Sequence, residues 1–270
     1  MSDLFFIIIY HIWGYRRKVV QQNLELAFPE KTQKERIAIE NKYYRNLVDS
    51  IFETIKLFSA GEKFLLDHVG GDYSLIDQYY HQGQKSQLML GHHFNWELSN
   101  LYGGLRTKQK FLGVYMPMKS KLSDRLFKKM RSRTGTILIP ATTMIRSMLP
   151  YRNDVYILAL IADQTPATPS NAYWVNFFGR PTAFLKGGEK GAIAGNVPVL
   201  FAYFTRRKRG YYTFNIKVGE EYPSKLKQGE LTHRYAKFME ETIRQDPSMW
   251  LWSHRRWKHE WKPEYGEVLK

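Results

Sequence analysis

The chain has 270 residues, 43% of them hydrophobic, which is enough to build one sizeable core. It contains no cysteine, which excludes a disulfide framework, a thiol nucleophile and a thiolate metal site. The formal net charge of +16 predicts an acidic partner, and nucleic acid, an anionic membrane leaflet and an acidic protein all remain open. We predict one domain over residues 1–270.

The N-terminal residues combine apolar, aromatic and basic side chains. The apolar run from Leu4 to Trp13 is shorter than the roughly 18 residues that a membrane-spanning helix needs. No cationic stretch precedes it and no small-residue cleavage site follows, so it does not resemble a signal peptide. Basic residues then follow directly at Arg16, Arg17 and Lys18, a mixture typical of a lipid headgroup region. We interpret residues 1–15 as a membrane-interface anchor or the remnant of a longer anchor.

Hydrophobic periodicity predicts an α/β fold with a mixed, mostly parallel central sheet covered by helices, and an N-terminal amphipathic helical segment. Apolar residues at three- and four-residue spacing indicate a long amphipathic helix from Gln33 to Phe58. Short apolar runs predict four strands, Ser86 to Leu90, Phe111 to Met116, Thr136 to Ile139 and Val155 to Ala162. Between the strands lie helical patterns at Trp96 to Leu105, Lys121 to Arg133 and Thr142 to Leu149.

An antiparallel hairpin is predicted near the C-terminal end of this alternation. Its strands are Val197 to Thr205 and Tyr211 to Val218, joined by the turn Arg206 to Gly210. The segment Asn171 to Thr182 is predicted to be a loop.

The segment Gly91 to Glu97 carries the strongest chemical signal, because it follows a predicted strand and opens a helix. A carboxylate in the first helical turn can orient a loop histidine and stabilise the imidazolium that forms when the ring accepts a proton. Both His92 with Glu97 and His93 with Glu97 satisfy this spacing. Two further interpretations remain open, a metal pair and histidines that only cap or pack against the helix.

Four ordered segments carry a resemblance to a known family. Gly91 to Glu97 resembles the G-H-x-x-N-W-E form of the H-x4-D/E motif in the bacterial late lipid A acyltransferases, the lauroyl and myristoyl transferases. The other similar segments are Tyr15 to Glu30 with Glu53 to Lys56, Ala162 to Gln164 with Phe177 to Ala183, and Trp250 to Lys258. The resemblance spans nearly the whole chain, and it selects His92, which lies five residues before Glu97, over His93.

The resemblance implies acyl transfer from a thioester to a hydroxyl of a membrane glycolipid, with His92 as general base and Glu97 as its partner. The expected co-substrate is acyl-acyl carrier protein or acyl-CoA, with no cofactor and no metal. The expected partners are acyl carrier protein, anionic membrane lipids and a glycolipid acceptor. The expected location is the cytoplasmic face of the bacterial inner membrane, peripheral or N-terminally anchored.

Six further residues are candidates for substrate binding. Arg146 resembles an arginine that follows the third strand in the family, and we expect it to bind a phosphate or the oxyanion. Asp163 and Gln164 end an apolar strand and are expected to line the same crevice as the histidine. Three cations beside the site are expected to face headgroup phosphates or an acidic carrier, namely Lys119, Lys121 and Arg125.

The triplet Tyr115-Met116-Pro117 departs from the family, many of whose members have Tyr-Arg-Pro there. The missing guanidinium removes a bidentate phosphate ligand, so an acceptor other than an ordinary phosphorylated lipid A precursor becomes an alternative. That acceptor is an aminolipid or another glycolipid. Two other classes compete: a basic nucleic-acid-binding protein without catalysis, and a zinc hydrolase using His92, His93 and Glu97. We favour the acyltransferase and expect no nucleic-acid partner.

Overall fold

A computed structural model describes residues 2–269. A seven-stranded sheet forms its centre, in the spatial order β1-β9-β8-β2-β5-β3-β4, and a three-stranded sheet has the order β10-β6-β7. The strands are β1 (Val69–Gly71), β2 (Ser86–Leu90), β3 (Lys110–Tyr115), β4 (Ile137–Pro140), β5 (Tyr156–Ile161), β6 (Ala172–Phe177), β7 (Arg180–Leu185), β8 (Val199–Lys208), β9 (Tyr211–Glu220) and β10 (Val268–Leu269).

Ten α-helices accompany the sheets within residues 2–269. They are α1 (Ser2–Phe6), α2 (Arg17–Ala27), α3 (Gln33–Leu57), α4 (Glu62–His68), α5 (Ser74–His81), α6 (Trp96–Arg106), α7 (Lys121–Arg131), α8 (Met144–Met148), α9 (Gly187–Gly195) and α10 (Glu230–Gln245). A π-helical turn over Ile7–Ile12 continues α1, and 3-10 turns flank α8 on both sides.

The direction of the strands determines where reactive loops can meet. Strands β2, β3, β4, β5 and β8 are parallel to one another, whereas β9 runs antiparallel to β8 and pairs in parallel with β1. The five parallel strands therefore end at one edge of the sheet, which is where open α/β sheets place their functional loops.

The predicted mostly parallel α/β sheet is confirmed, and so is the C-terminal hairpin, which is β8 and β9. All five residues of β2 are buried, because helices cover the centre of the sheet on both faces and leave no solvated side. That burial explains why β2 ends in the apolar run Leu88-Met89-Leu90 rather than in an alternating pattern.

The N-terminal helices pack against α3. A capping box between Thr32 and Glu35 begins α3, and the helix buries Tyr43 and Tyr44 against the core. Phe6 and Tyr10 of the N-terminal segment are also buried. Other apolar residues of this segment face outward, namely Leu4, Phe5, Ile7, Ile8, Ile12 and Trp13. Within residues 2–269, no helix has both the length and the apolar character needed to cross a membrane.

The predicted loop from Asn171 to Thr182 is wrong, because the segment forms most of an antiparallel hairpin of β6 and β7. Its two-residue turn is Phe178-Gly179, with φ values of 55° and 71°. Positive φ at both positions matches the right-handed twist of the flanking strands. Helix α10 was missed too, although its apolar residues Tyr235, Met239 and Ile243 recur at helical spacing and are fully buried.

Candidate active site

The register of two neighbouring strands brings a histidine and a carboxylate together. Leu90 at the end of β2 is paired with Ile161 at the end of β5. His92 and Asp163 each lie two residues beyond that pair, and the amide of Ala162 donates to the carbonyl of Leu90 at 3.1 Å. The chain positions 92 and 163 therefore meet at the carboxyl edge of the sheet.

The His92 ring contacts a side chain at each nitrogen. Its Nδ1 lies 2.5 Å from Asp163 Oδ1, and its Nε2 lies 3.1 Å from the amide nitrogen of Gln164. An ionised carboxylate can only accept hydrogen bonds, so Nδ1 carries the proton and donates. The amide of Gln164 then donates to the single lone pair of Nε2, which lies at the more accessible end of the ring. This tautomer suits Nε2 to accept a proton from a substrate.

Asp163 is buried but well supplied with donors. Burial alone would raise its pKa, yet the charge and hydrogen bonds of His92 outweigh burial and hold the pKa well below its usual range. Besides the ring, the backbone N–H of His92 donates to Oδ2 at 2.8 Å, and the indole N–H of Trp250 donates to Oδ2 at 2.7 Å. Three donors therefore keep the carboxylate ionised and fixed in direction.

Gly91 permits the close approach of α10 behind this pair. A Cβ at Gly91 would lie 2.1 Å from Met239 Cε and 3.2 Å from Asp163 Oδ2. Tyr235, one turn earlier on α10, donates its hydroxyl to the carbonyl of Leu90 at 2.5 Å. The helix thus supports the end of β2 through packing and a hydrogen bond.

The structure corrects the pairing of His92 with Glu97 that the sequence predicted. Glu97 is buried on α6, and both of its oxygens accept from Arg131 on α7, at 2.8 Å from Nε and 2.5 Å from Nη2. This bidentate ion pair occupies the carboxylate and ties α6 to α7. The physical reason is that Glu97 lies within α6 and contacts α7. Asp163, by contrast, follows β5, the strand paired with β2, and so contacts the ring of His92.

Asn95 begins α6 and anchors it to α3. Its side-chain oxygen accepts from the N–H groups of Glu97 and Leu98, as an N-cap does. Its amide nitrogen donates to Glu53 of α3 at 3.1 Å, and the hydroxyl of Tyr212 donates to the same carboxylate at 2.8 Å. Burial raises the pKa of Glu53, while these two donors oppose the rise. The start of α6 is therefore fixed by residues outside the histidine loop.

His93, the other candidate base, faces the interior. Its side chain is buried, and neither ring nitrogen has a hydrogen-bond partner among residues 2–269. Burial lowers its pKa to about 4, although the nearby charge of Asp163 opposes this effect. A neutral, enclosed ring is poorly placed to reach a substrate, so the structure favours His92.

The C-terminal segment closes the back of the site. Phe94 donates to the carbonyl of Met249 at 2.9 Å, and Leu251 donates to the carbonyl of His92 at 3.1 Å. Asn23 of α2 in turn donates to the carbonyls of Trp252 and His254, each at 2.7 Å. All four segments that resemble the family therefore meet around the histidine loop, although they are far apart in the sequence. The sequence reasoning missed the contact of Trp250 with Asp163. The signal available for it was the resemblance of the segment Trp250 to Lys258 to the family.

A buried cation supports the segment that follows Asp163. The Nη1 of Arg256 donates to Thr165 Oγ1 at 3.1 Å and to the carbonyl of Ala183 at 2.9 Å. The guanidinium also lies 4.1 Å from the ring centroid of Phe184, and burial lowers its pKa to about 10. These contacts tie the loop after β5 to the β6–β7 hairpin.

The other predicted substrate-binding residues lie farther along the same edge. Lys119, Lys121 and Arg125 follow β3, which is two strands from β2, and Arg146 follows β4, which is three strands away. At about 4.8 Å per strand, these offsets are roughly 10 and 14 Å. All four side chains are exposed, and none of them contacts His92 in the part of the chain that the structure describes.

The fold and site define an α/β enzyme in which a carboxylate-held histidine lies at the carboxyl edge of a parallel sheet. No group of three or more potential metal ligands occurs within residues 2–269. The family model described as bacterial lipid A biosynthesis acyltransferase matches residues 6–259. A lipid A biosynthesis acyltransferase of Haemophilus influenzae is 25% identical over 250 residues, which cover 90% of this chain and 78% of that protein. The chain belongs to the bacterial lipid A biosynthesis acyltransferase family and is thus an acyltransferase.

Proposed function

We propose that this protein transfers a fatty acyl group from an acyl thioester to a hydroxyl of a membrane glycolipid, with His92 as general base and Asp163 as the residue that orients it. One observation carries the proposal: His92 Nδ1 is held 2.5 Å from the buried carboxylate of Asp163. Asp163 replaces Glu97 in the role that the sequence first suggested. Gln164 occupies the place beside Nε2 that an acceptor hydroxyl takes during the reaction.

The proposed reaction transfers the acyl group directly from the thioester to the acceptor hydroxyl. The acceptor O–H gives its proton to His92 Nε2 as its oxygen attacks the thioester carbonyl carbon. The resulting imidazolium is stabilised by Asp163 across Nδ1. The tetrahedral intermediate then collapses, the carbon–sulfur bond breaks, and His92 returns the proton to the departing thiolate. The products are the new ester and a free thiol, and no covalent acyl-enzyme forms.

We propose a supporting rather than a proton-relaying role for Glu97. Its ion pair with Arg131 fixes α7 against α6 and so positions the cationic helix beside the catalytic loop. The exposed cations Lys119, Lys121 and Arg125 suit either the phosphates of lipid headgroups or an acidic donor, which is acyl-acyl carrier protein or acyl-CoA.

The acceptor is proposed to be a lipid A precursor or a related lipid with fewer phosphates. Met116 is 67% exposed at the end of β3, where a planar guanidinium would otherwise be available to a phosphate. Arg146 is the remaining candidate for contact with a phosphate. A direct comparison of a phosphorylated lipid A precursor and an aminolipid as acceptors decides between the two.

We further propose that residues 1–270 act as one acyltransferase domain on the cytoplasmic face of the inner membrane, with residues 1–15 as an interfacial anchor. The outward-facing apolar side chains of the N-terminal segment support this anchor, because they are accessible while Phe6 and Tyr10 fix the segment to α3.

The experiment compares purified wild-type and His92→Ala protein. Each is incubated with acyl-acyl carrier protein or acyl-CoA and with total bacterial lipid extract, and the products are analysed by mass spectrometry. We expect a lipid heavier by one acyl group with wild type alone, which identifies both donor and acceptor. Equal product from His92→Ala would rule out the proposed base. Absence of acylated lipid with every donor would overturn the proposed reaction.

A further inference from the structure

We propose that a rim formed by α7, α8 and the end of β3 inserts into an anionic bilayer and holds the His92 edge of the sheet against the membrane. This inference deepens the proposed function, because it assigns a surface on which a lipid acceptor would reach the site. The rim is defined by its exposed apolar residues, which are Met116, Leu122, Leu126, Ile145 and Leu149.

Helix α7 has a packed face and a separate apolar stripe. Met130 is buried and Phe127 packs edge-on against Phe58 at 5.6 Å between ring centroids, so this side of the helix faces the protein. Leu122 and Leu126 are four residues apart and share a different side, which is exposed. The apolar stripe is therefore not used by the packing of the described chain.

Cations flank this apolar stripe. Lys121, Arg125 and Lys129 lie on the side of α7 away from the packed face, at four-residue spacing. A helix with an apolar stripe beside a row of Lys and Arg is the arrangement that lies in a membrane interface. The apolar residues enter the acyl-chain boundary while the cations stay at the headgroups.

The remaining members extend the rim across the strand ends. Met116 directly follows β3, and Ile145, which is 87% exposed, lies on α8 just after β4. Both strands are parallel to β2, so these residues lie at the same edge as His92. A bilayer that contacts the rim therefore also faces the catalytic edge.

Charge identifies the occupant of this surface. Lys108, Lys110, Lys128 and Arg131 are neutralised by ion pairs within the protein. In the described range, the cations around the rim form no ion pair, namely Lys119, Lys121, Arg125, Lys129 and Arg146. Five uncompensated positive charges among exposed apolar side chains match an anionic lipid surface, to which each contributes attraction.

The test uses the absence of native cysteine, which permits labelling at one chosen site. The full chain is prepared as Ile145→Cys and, as control, Leu66→Cys, each carrying an environment-sensitive fluorophore. Leu66 is also exposed, at 53%, but lies on α4, which packs against β1 at the opposite end of the sheet from β4. With phosphatidylglycerol-containing vesicles, we expect a blue shift and quenching by brominated lipid at position 145 and neither at position 66.

A matched pair of variants measures the contribution of the rim to binding. Leu122→Ser combined with Ile145→Ser removes two exposed apolar side chains, so the fold is retained while vesicle partitioning weakens by about tenfold. Leu66→Ser is expected to partition as wild type does. Unchanged partitioning of the double variant, or a label at position 145 that stays in water on bound protein, would overturn the proposal.

Two further measurements separate this surface from other interpretations. If the label at position 145 responds to acyl carrier protein in solution but not to vesicles, the rim docks a protein and the proposal fails. With detergent-dispersed acceptor, the double variant is expected to keep wild-type kcat, and a loss there would make the rim part of the substrate site. The vesicle measurements do not depend on acyl transfer. Insertion of the rim can therefore succeed or fail separately from the proposed acyl-transfer reaction.

Discussion

Two buried carboxylates, Asp163 and Glu97, have different partners in two regions of the molecule. At the β2–β5 junction, Asp163 faces an imidazole that can gain or lose a proton. At the α6–α7 junction, Glu97 faces Arg131, a guanidinium that stays charged. The same chemical group thus holds a histidine ring in one region and joins two helices in the other. The partner, rather than the spacing to the histidine, determines the role.

Neutralising each carboxylate in turn tests whether the two have different roles. Asp163→Asn removes the charge that orients and stabilises the imidazolium, so we expect kcat to fall by about 10³- to 10⁴-fold. Glu97→Gln, the matched control, retains a hydrogen-bonding group for Arg131 and is expected to keep far more activity. Steady-state kinetics with circular dichroism as a folding check provides the measurement. A larger loss in Glu97→Gln than in Asp163→Asn would contradict this assignment.

The free energy of unfolding tests whether the Glu97–Arg131 ion pair holds α6 and α7 together. Glu97→Ala leaves the largely buried guanidinium of Arg131 without its partner, and we expect the free energy of unfolding to fall by about 3 kcal/mol. The double variant Glu97→Ala with Arg131→Ala is expected to recover at least half of that loss, measured by urea denaturation. Destabilisation that simply adds in the double variant would show that the ion pair is not what holds α6 and α7 together.

The pH dependence of stability tests whether burial holds the ring of His93 neutral. The pKa of His93 is about 4 in the folded protein and about 6.5 when unfolded, so the unfolded chain binds more protons between these values. Stability is complete above about pH 6.5 and is lost as the pH falls toward 4. From about pH 7.5 to about pH 5, His93 alone is expected to lower the free energy of unfolding by about 2 kcal/mol.

His93→Leu tests this effect against His81→Leu, which alters an exposed histidine. Denaturation at both pH values should show a smaller acid-induced loss in His93→Leu and an unchanged loss in His81→Leu. Equal pH dependence in His93→Leu and wild type would mean that the ring is not held neutral by burial.

The smallest expected effect concerns the anchor of α6. Tyr212→Phe removes one donor to Glu53, so we expect a loss of about 1 kcal/mol in the free energy of unfolding and nearly unchanged kcat. Tyr211→Phe, which alters the adjacent and more exposed tyrosine, serves as the control in the same denaturation assay. A large drop in kcat without a change in stability would place Glu53 within the catalytic machinery instead.

The central strands could be predicted because burial on both faces leaves an apolar run in the sequence, as in β5 and in the second half of β2. The β6–β7 hairpin could not, because its turn follows Phe177 without the usual Asn-Gly or Asp-Gly signal. The histidine of the site was within reach of sequence reasoning, since it ends a recognisable strand. Asp163 was also expected in the same crevice, but its pairing with His92 was not, because the contact between positions 92 and 163 depends on the β2–β5 register, which local spacing does not encode.

Proton and nitrogen NMR of protein labelled with ¹⁵N-histidine reports whether Asp163 or Glu97 holds the ring of His92. A proton on His92 Nδ1 that is held by a carboxylate gives a low-field resonance, assigned by its absence in His92→Ala. We predict that this resonance persists in Glu97→Gln and disappears or moves strongly upfield in Asp163→Asn. Its loss in Glu97→Gln with retention in Asp163→Asn would show that Glu97 orients His92 and would contradict the account.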